Sequence, residues 1–209
     1  MRMKKVKKRH PEAKERRSAK PNAIVLAALE LFTRYGYRKT SIDDIALAAR
    51  AAKRTVYLHF ENKAAVFLAI LEYLAEQVRQ RCLAAERVGG TPVNRLTGLL
   101  DAYFGMAFEL FSRSQHMSEL EEAFSKLARA RISDLNAEYE ARLAGFFRSL
   151  QNAREIAGPP QGLTLERIVH ILVRSAEGAK HDPELQGDRK ALERRLRELA
   201  ILAIAAMKK

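Results

Sequence analysis

Apolar residues recur along this chain at spacings of three and four, and no segment alternates convincingly with period two. Ile24, Ala28, Leu31, Phe32 and Tyr35 form one stripe, because residues three, four or seven apart share a helical face. Pro21 suits the first turn of that helix, and Gly36 stands where a left-handed residue would end it. A second helix is announced by Ser41 with Asp44 three residues on, a capping-box spacing, and its stripe is Ile42, Ile45, Ala46 and Ala49. A short break at 50–52 precedes a third segment, 53–59. Asn62 can cap a long fourth helix that reaches about residue 87, ahead of Gly89 and Gly90. Phe67, Leu71, Leu74, Val78, Cys82 and Ala85 make the apolar stripe of that helix.

Further along, the pattern predicts helices over about 93–113, 119–127, 131–155, 165–180 and 188–207. The breaks between them are the serine-containing stretch 112–118, Gly158-Pro159-Pro160-Gln161-Gly162, and Asp182-Pro183 with Gly187. The expected fold is all-α with about nine helices. Its parts are a basic arm at 1–20, a helix-turn-helix domain at 21–65 and a helical body at 66–209.

Charge sharpens that division. The 209 residues carry 38 Lys and Arg against 25 Asp and Glu, a net +13. Residues 2–20 hold ten basic side chains against Glu12 and Glu15, which is +8. Residues 21–63 add +3, and the remaining 146 only +2. A segment so polar cannot bury enough apolar surface to offset its chain entropy, so the arm is expected to be disordered in isolation. Its partner should be a polyanion, with nucleic acid ahead of an acidic membrane surface. The longest apolar run, 199–207, is far short of the ~20 residues a membrane helix needs. The stretch 24–29 is short, is stopped by Glu30 and lacks a small-residue cleavage site, unlike a secretory signal. A cytoplasmic location is expected.

Candidate chemistry is sparse. The single cysteine, Cys82, excludes an internal disulfide framework and a cysteine-built zinc site. The spacing of His116, His170 and His181 predicts no metal geometry. No nucleophile triad, P-loop or nucleotide fingerprint stands out, so neither a cofactor nor an enzymatic activity is expected.

The short second and third helices are different. A tight turn joins them in the layout of a helix-turn-helix, whose second helix enters the major groove. In Lys53-Arg54-Thr55-Val56-Tyr57-Leu58-His59, Val56 can pack inward with Phe60, four residues on. Lys53, Arg54, Thr55, Tyr57 and His59 then place donors around the rest of the helix. Lys and Arg can donate to guanine O6 and N7, while Thr and Tyr hydroxyls suit phosphates or base edges. A merely solvated surface helix would carry the same charges.

Thr40-Ser41-Ile42-Asp43-Asp44-Ile45-Ala46, followed by Thr55-Val56-Tyr57-Leu58-His59-Phe60-Glu61-Asn62-Lys63, resembles the DNA-binding domain of TetR-family repressors, over about residues 21–70. The resemblance implies base-edge contacts from Lys53, Arg54 and Thr55, and phosphate or flanking-base contacts from Tyr57 and His59. It also implies phosphate anchors at Lys63, Thr40 and Ser41, the last of which suits an N-cap as well. Two positions depart from the family pattern: Arg50 stands where glycine is usual, and Ala52 where a serine cap is usual. Further implications are a homodimer on a palindromic operator and a C-terminal pocket whose small-molecule effector releases the DNA.

In the body, Leu165, Ile168, Val169, Leu172, Val173 and Ala176 form a clean stripe, and the last helix is apolar almost all round from residue 199 to 206. Such a helix should be buried on every side, which a dimer interface built from 165–180 and 188–207 would achieve. An apolar or aromatic effector could be lined by Tyr103, Phe104, Phe108, Phe111, Phe124 and Phe147, with His170 as a polar orienter. Each of these also suits an ordinary core or surface position. The expected function is a ligand-responsive, dimeric transcriptional repressor that binds double-stranded DNA. A nonspecific architectural DNA-binding protein and a membrane-surface protein using residues 2–20 are the other classes.

Overall fold

The computed structural model describes residues 12–112, 114–180, 182 and 187–207, with side chains from residue 21 onward except at 180. The described residues are helical and contain no strand. In chain order the helices are α1 (Glu12–Tyr35), α2 (Ile42–Ala48), α3 (Lys53–His59), α4 (Lys63–Arg87) and α5 (Pro92–Leu100). A π-helical turn, Asp101–Gly105, joins α5 to α6 (Met106–Phe111) without a break. They are followed by α7 (Met117–Leu127), α8 (Arg129–Asn152), α9 (Leu165–Lys180) and α10 (Arg189–Ala205). With 92–111 counted as one run, the described residues hold the nine helices the periodicity predicts. None is long and apolar enough to cross a membrane.

The first helix begins earlier than expected. It starts at Glu12 and carries Pro21 inside it. Proline lacks one helical hydrogen bond, but the residues before it are mostly Ala, Glu, Lys and Arg, which favour helix strongly. Residues 12–20 of the expected disordered arm are therefore helical backbone, and 1–11 lie outside the described residues.

Two compact units divide the chain, one through Tyr73 and one from Leu74. The first extends past the expected boundary at 65 because Val66, Phe67 and Ile70 of α4 are buried. Its core also contains Ile24, Ala28 and Phe32 of α1, Ile45 and Ala46 of α2, and Val56 of α3. Phe32, Tyr37 and Phe67 form an aromatic triangle with centroids 5.2–6.0 Å apart. Each fully buried phenylalanine contributes about 1.5–3 kcal/mol of transfer free energy. That anchors a unit in which α2 and α3 have only seven residues each.

In the second unit, α10 packs on α5 and α9, and α8 on α9. Leu96, Leu99, Leu100, Phe104 and Phe108 meet Tyr139, Leu143 and Phe147 of α8 and Leu192, Leu196 and Ala200 of α10 in one core. Where the helix widens at the π turn, the buried Tyr139 hydroxyl donates to the Leu99 carbonyl at 3.0 Å. Asp101, on the same turn, pairs with Arg189 at 2.5 Å, and Glu109 of α6 meets Arg189 at 3.1 Å.

Candidate nucleic-acid interface

Ser41 opens α2 with a complete capping box. Its hydroxyl accepts from the Asp44 N–H at 3.2 Å, and its own N–H donates to Asp44 Oδ2 at 2.8 Å. The Ser41 hydroxyl also donates to that carboxylate at 2.6 Å. These bonds hold the Asp44 carboxyl below its ordinary pKa.

The turn out of α2 is closed by two bonds. Ala51 N–H donates to the Ala46 carbonyl at 2.9 Å and Arg50 N–H to that of Leu47 at 3.1 Å, with Arg50 at a φ of 50°. This is a Schellman turn with arginine in the place that favours glycine, a left-handed conformation costing roughly 1–2 kcal/mol for a residue with a Cβ. Ala52 then leads into α3 in extended conformation with no side-chain cap. Both departures from the usual turn chemistry are physical features of this chain.

Val56 is the one buried residue of α3. Lys53, Arg54, Tyr57, Leu58 and His59 are exposed and Thr55 is half-buried, so the expected donors ring the helix away from its packed side. Lys53 is tied to Asp43 of α2 by an ion pair of 2.9 Å. With both partners more than half exposed, that bond is weak enough for a phosphate or base to displace it.

Thr40 and Lys63 face the other way. Thr40 is 3% exposed, and its hydroxyl donates to the Gly36 carbonyl at 2.8 Å. The half-buried Lys63 ammonium donates to the carbonyls of Tyr37 at 2.8 Å, Thr40 at 2.9 Å and Arg38 at 3.4 Å. It also lies 4.4 Å from the centroid of the Tyr37 ring. Both side chains fasten the 36–41 turn, so the phosphate contact expected of each would compete with these bonds. Partly buried carbonyls just beyond α1 need donors, and a lysine side chain supplies three. Of the expected anchors, Ser41 is exposed and acts as the cap.

The matching family model is the TetR family of bacterial regulatory proteins, over residues 24–70. Those residues begin in α1 and run through the turn, α3 and the first turns of α4. Residues 24–70 carry the DNA-binding domain of that family. Over 73 residues it is 33% identical to YuxN of Bacillus subtilis, an uncharacterized HTH-type transcriptional regulator, a match covering 35% of this chain and only 25% of YuxN. It is 25% identical over 128 residues to IcaR of Staphylococcus aureus, the negative transcriptional regulator of the biofilm operon icaADBC. That match covers 59% of this chain and 67% of IcaR. The fold extends further than the sequence likeness: the crystal structure of a TetR transcription regulator from Haloarcula marismortui superposes with a TM-score of 0.68 at 22% identity. It covers 92% of this chain and all of that one.

The aromatic candidates of the second unit divide between core and half-buried positions. Phe104, Phe108 and Phe147 are core, at 1%, 6% and 0% exposure. Tyr103 is half-buried, stacks on Tyr139 at 4.6 Å between centroids, and donates its hydroxyl to Asn136 Oδ1 at 2.9 Å. Phe111 and Phe124, also half-buried, meet edge to face at 6.4 Å. His170, expected as a polar orienter, lies on the exposed side of α9 and pairs with Glu140, Nδ1 standing 3.2 Å from Oε1. Helical position explains this, since Ile168, Val169, Leu172 and Val173 of the same helix are the ones buried. Burial pushes the Cys82 thiol up to about 11, which keeps it protonated and unreactive at neutral pH. Among the described residues no group of His, Cys, Asp and Glu could hold a metal ion.

Sequence reasoning missed Leu58, 80% exposed on α3, and Asp43, the partner of Lys53. The signal for Leu58 was present: it follows the inward Val56 by two positions, which on a helix turns it to the opposite side.

Proposed function

We propose that this regulator is a repressor that binds a palindromic operator as a homodimer and is released by a small apolar or aromatic effector. The observation that carries the DNA-binding half is the outward ring of Lys53, Arg54, Tyr57 and His59 on a helix fixed by Val56 and by the turn before it. Dimerisation through α9 and α10 is supported by what those helices leave uncovered. Ile171 is 44%, Ile201 45% and Leu202 66% exposed, and a second copy would bury them. A two-fold dimer offers two reading helices to half-sites about 34–36 Å apart.

For the effector, the half-buried Tyr103, Phe111 and Phe124 are better placed than the core rings Phe104, Phe108 and Phe147. Each keeps part of an apolar ring face accessible, which suits a flat or aromatic ligand.

Selection from random duplexes tests the reading. A two-fold symmetric consensus, bound by two chains, is the expected result. Binding without any preferred sequence at physiological salt would instead mark a nonspecific architectural protein. Effector screening against the selected operator then follows release, and Phe124→Ala should alter the response to an active compound while leaving operator affinity in its absence unchanged.

A further inference from the structure

The outermost point of the reading helix is apolar. Val56 is the inward residue of α3, and a helix turns about 100° per residue, so positions two before and two after it lie opposite. Those positions hold Arg54 and Leu58, four residues apart and neighbours on one face. Leu58 is 80% exposed, so it contributes little to the core of its unit. The other exposed side chains of α3, namely Lys53, Arg54, Tyr57 and His59, are all hydrogen-bond donors. If this face enters the major groove, the aliphatic group at its centre meets base edges, and among them the 5-methyl group of thymine is the apolar partner on offer.

We propose that Leu58 reads the 5-methyl group of a thymine in each half-site, beside the base pair met by Arg54. This rests on the reading of α3 as the groove helix. One helical turn rises about 5.4 Å against about 3.4 Å per base pair, so the two contacts fall about one to two base pairs apart. The division is chemical: Arg54 donates to a purine acceptor edge, and Leu58 excludes water from a methyl that cytosine lacks. Leu58 thereby distinguishes T·A from C·G at a position where none of the charged side chains is required.

The test uses the full chain and the operator obtained by selection. Each thymine of that operator is replaced by deoxyuridine, symmetrically in both half-sites, which removes only the methyl group. Affinities are measured by fluorescence anisotropy for the wild type and for Leu58→Ala, whose thermal unfolding should match the wild type because the side chain is exposed. At one position per half-site, uracil should weaken the wild type by about three- to tenfold, and Leu58→Ala should bind both duplexes within about twofold of each other. Equal wild-type affinity at every thymine, or a half-site without thymine, overturns the Leu58 contact and leaves the groove-helix reading standing. Discrimination that survives in Leu58→Ala gives the methyl to another side chain and overturns it equally. Selection that enriches no sequence removes the underlying reading, and the Leu58 contact falls with it.

Discussion

Arg50 holds a backbone conformation that its own Cβ disfavours, at a φ of 50°, and two turn hydrogen bonds keep it there. Arg50→Gly removes the steric cost of roughly 1–2 kcal/mol while giving back part of it as unfolded-chain entropy. The variant should be about 0.5–1 kcal/mol more stable by urea unfolding, with an unchanged dependence on denaturant. Ser41 is a second residue with a measurable signature. The Asp44 carboxyl is held below its ordinary 3.8 by the Ser41 hydroxyl first and its N–H second. A depressed folded pKa adds stability that is complete above the ordinary value and lost as pH falls through the folded one. Ser41→Ala should therefore cost about 1 kcal/mol at neutral pH and flatten the acid limb of the stability profile, read by thermal unfolding between neutral pH and the carboxylate range. At this scale the sequence was legible where a residue's job is local. The cap, the strained turn and the inward Val56 all follow from neighbours within a few positions. Lys63 was not legible, because its three carbonyl partners lie 23 to 26 residues earlier in the chain. Only the folded turn reveals that its donors are already engaged.

Helix 92–111 shows what an element can hide. Periodicity predicts one helix there, and one continuous run is present, but a π-helical turn at Asp101–Gly105 is set into it. Such widened turns are rare and concentrate at functional positions. Here the turn brings Asp101 over Gly105 to Arg189. A Cβ at Gly105 would overlap Asp101 Oδ1 and come within 2.7 Å of Arg189 Nη2. Gly105→Ala should therefore displace the Asp101–Arg189 pair and destabilise the chain by about 1–3 kcal/mol. A calorimetric unfolding temperature equal to the wild type would refute the crowding. Tyr139→Phe addresses the same turn from the other side. It leaves the buried Leu99 carbonyl without the hydroxyl that donates to it, at a cost of about 1–3 kcal/mol. Neither feature could be read from spacing, since a π turn adds one residue to a pattern that already tolerates threes and fours. The start of α1 escaped for the opposite reason. Proline is a strong local stop signal, and the helix-forming residues on both sides of Pro21 outweigh it.

Across the whole molecule, the basic arm and the apolar positions left uncovered on the last two helices lie at opposite ends of the sequence, and each makes its own prediction. The arm, residues 2–20, carries +8 of the net +13. If it tracks phosphates, its deletion should weaken binding to all duplexes alike and lower the salt slope by about 0.9 for each phosphate the arm neutralises, with the selected consensus unchanged. On α9 and α10, Ile171, Ile201 and Leu202 are left exposed. The all-round apolar stretch of the last helix called for burial on every side, yet Ile201 and Leu202 are left 45% and 66% exposed, while Leu192, Leu196, Ala200 and Ile204 of the same helix are buried in its own unit. A charge at the uncovered positions therefore costs the isolated chain little, but it would be buried without a partner in a dimer, where the penalty is several kcal/mol per ion. Ile201→Glu with Leu202→Glu should halve the mass seen by sedimentation and leave the helical circular dichroism signal intact. Operator affinity should fall steeply, because a single chain engages one half-site and loses the advantage of a linked second one. Retention of the dimer mass in the doubly charged variant would place the interface elsewhere. A monomer that still binds the full operator as tightly as the wild type would separate dimerisation from DNA recognition.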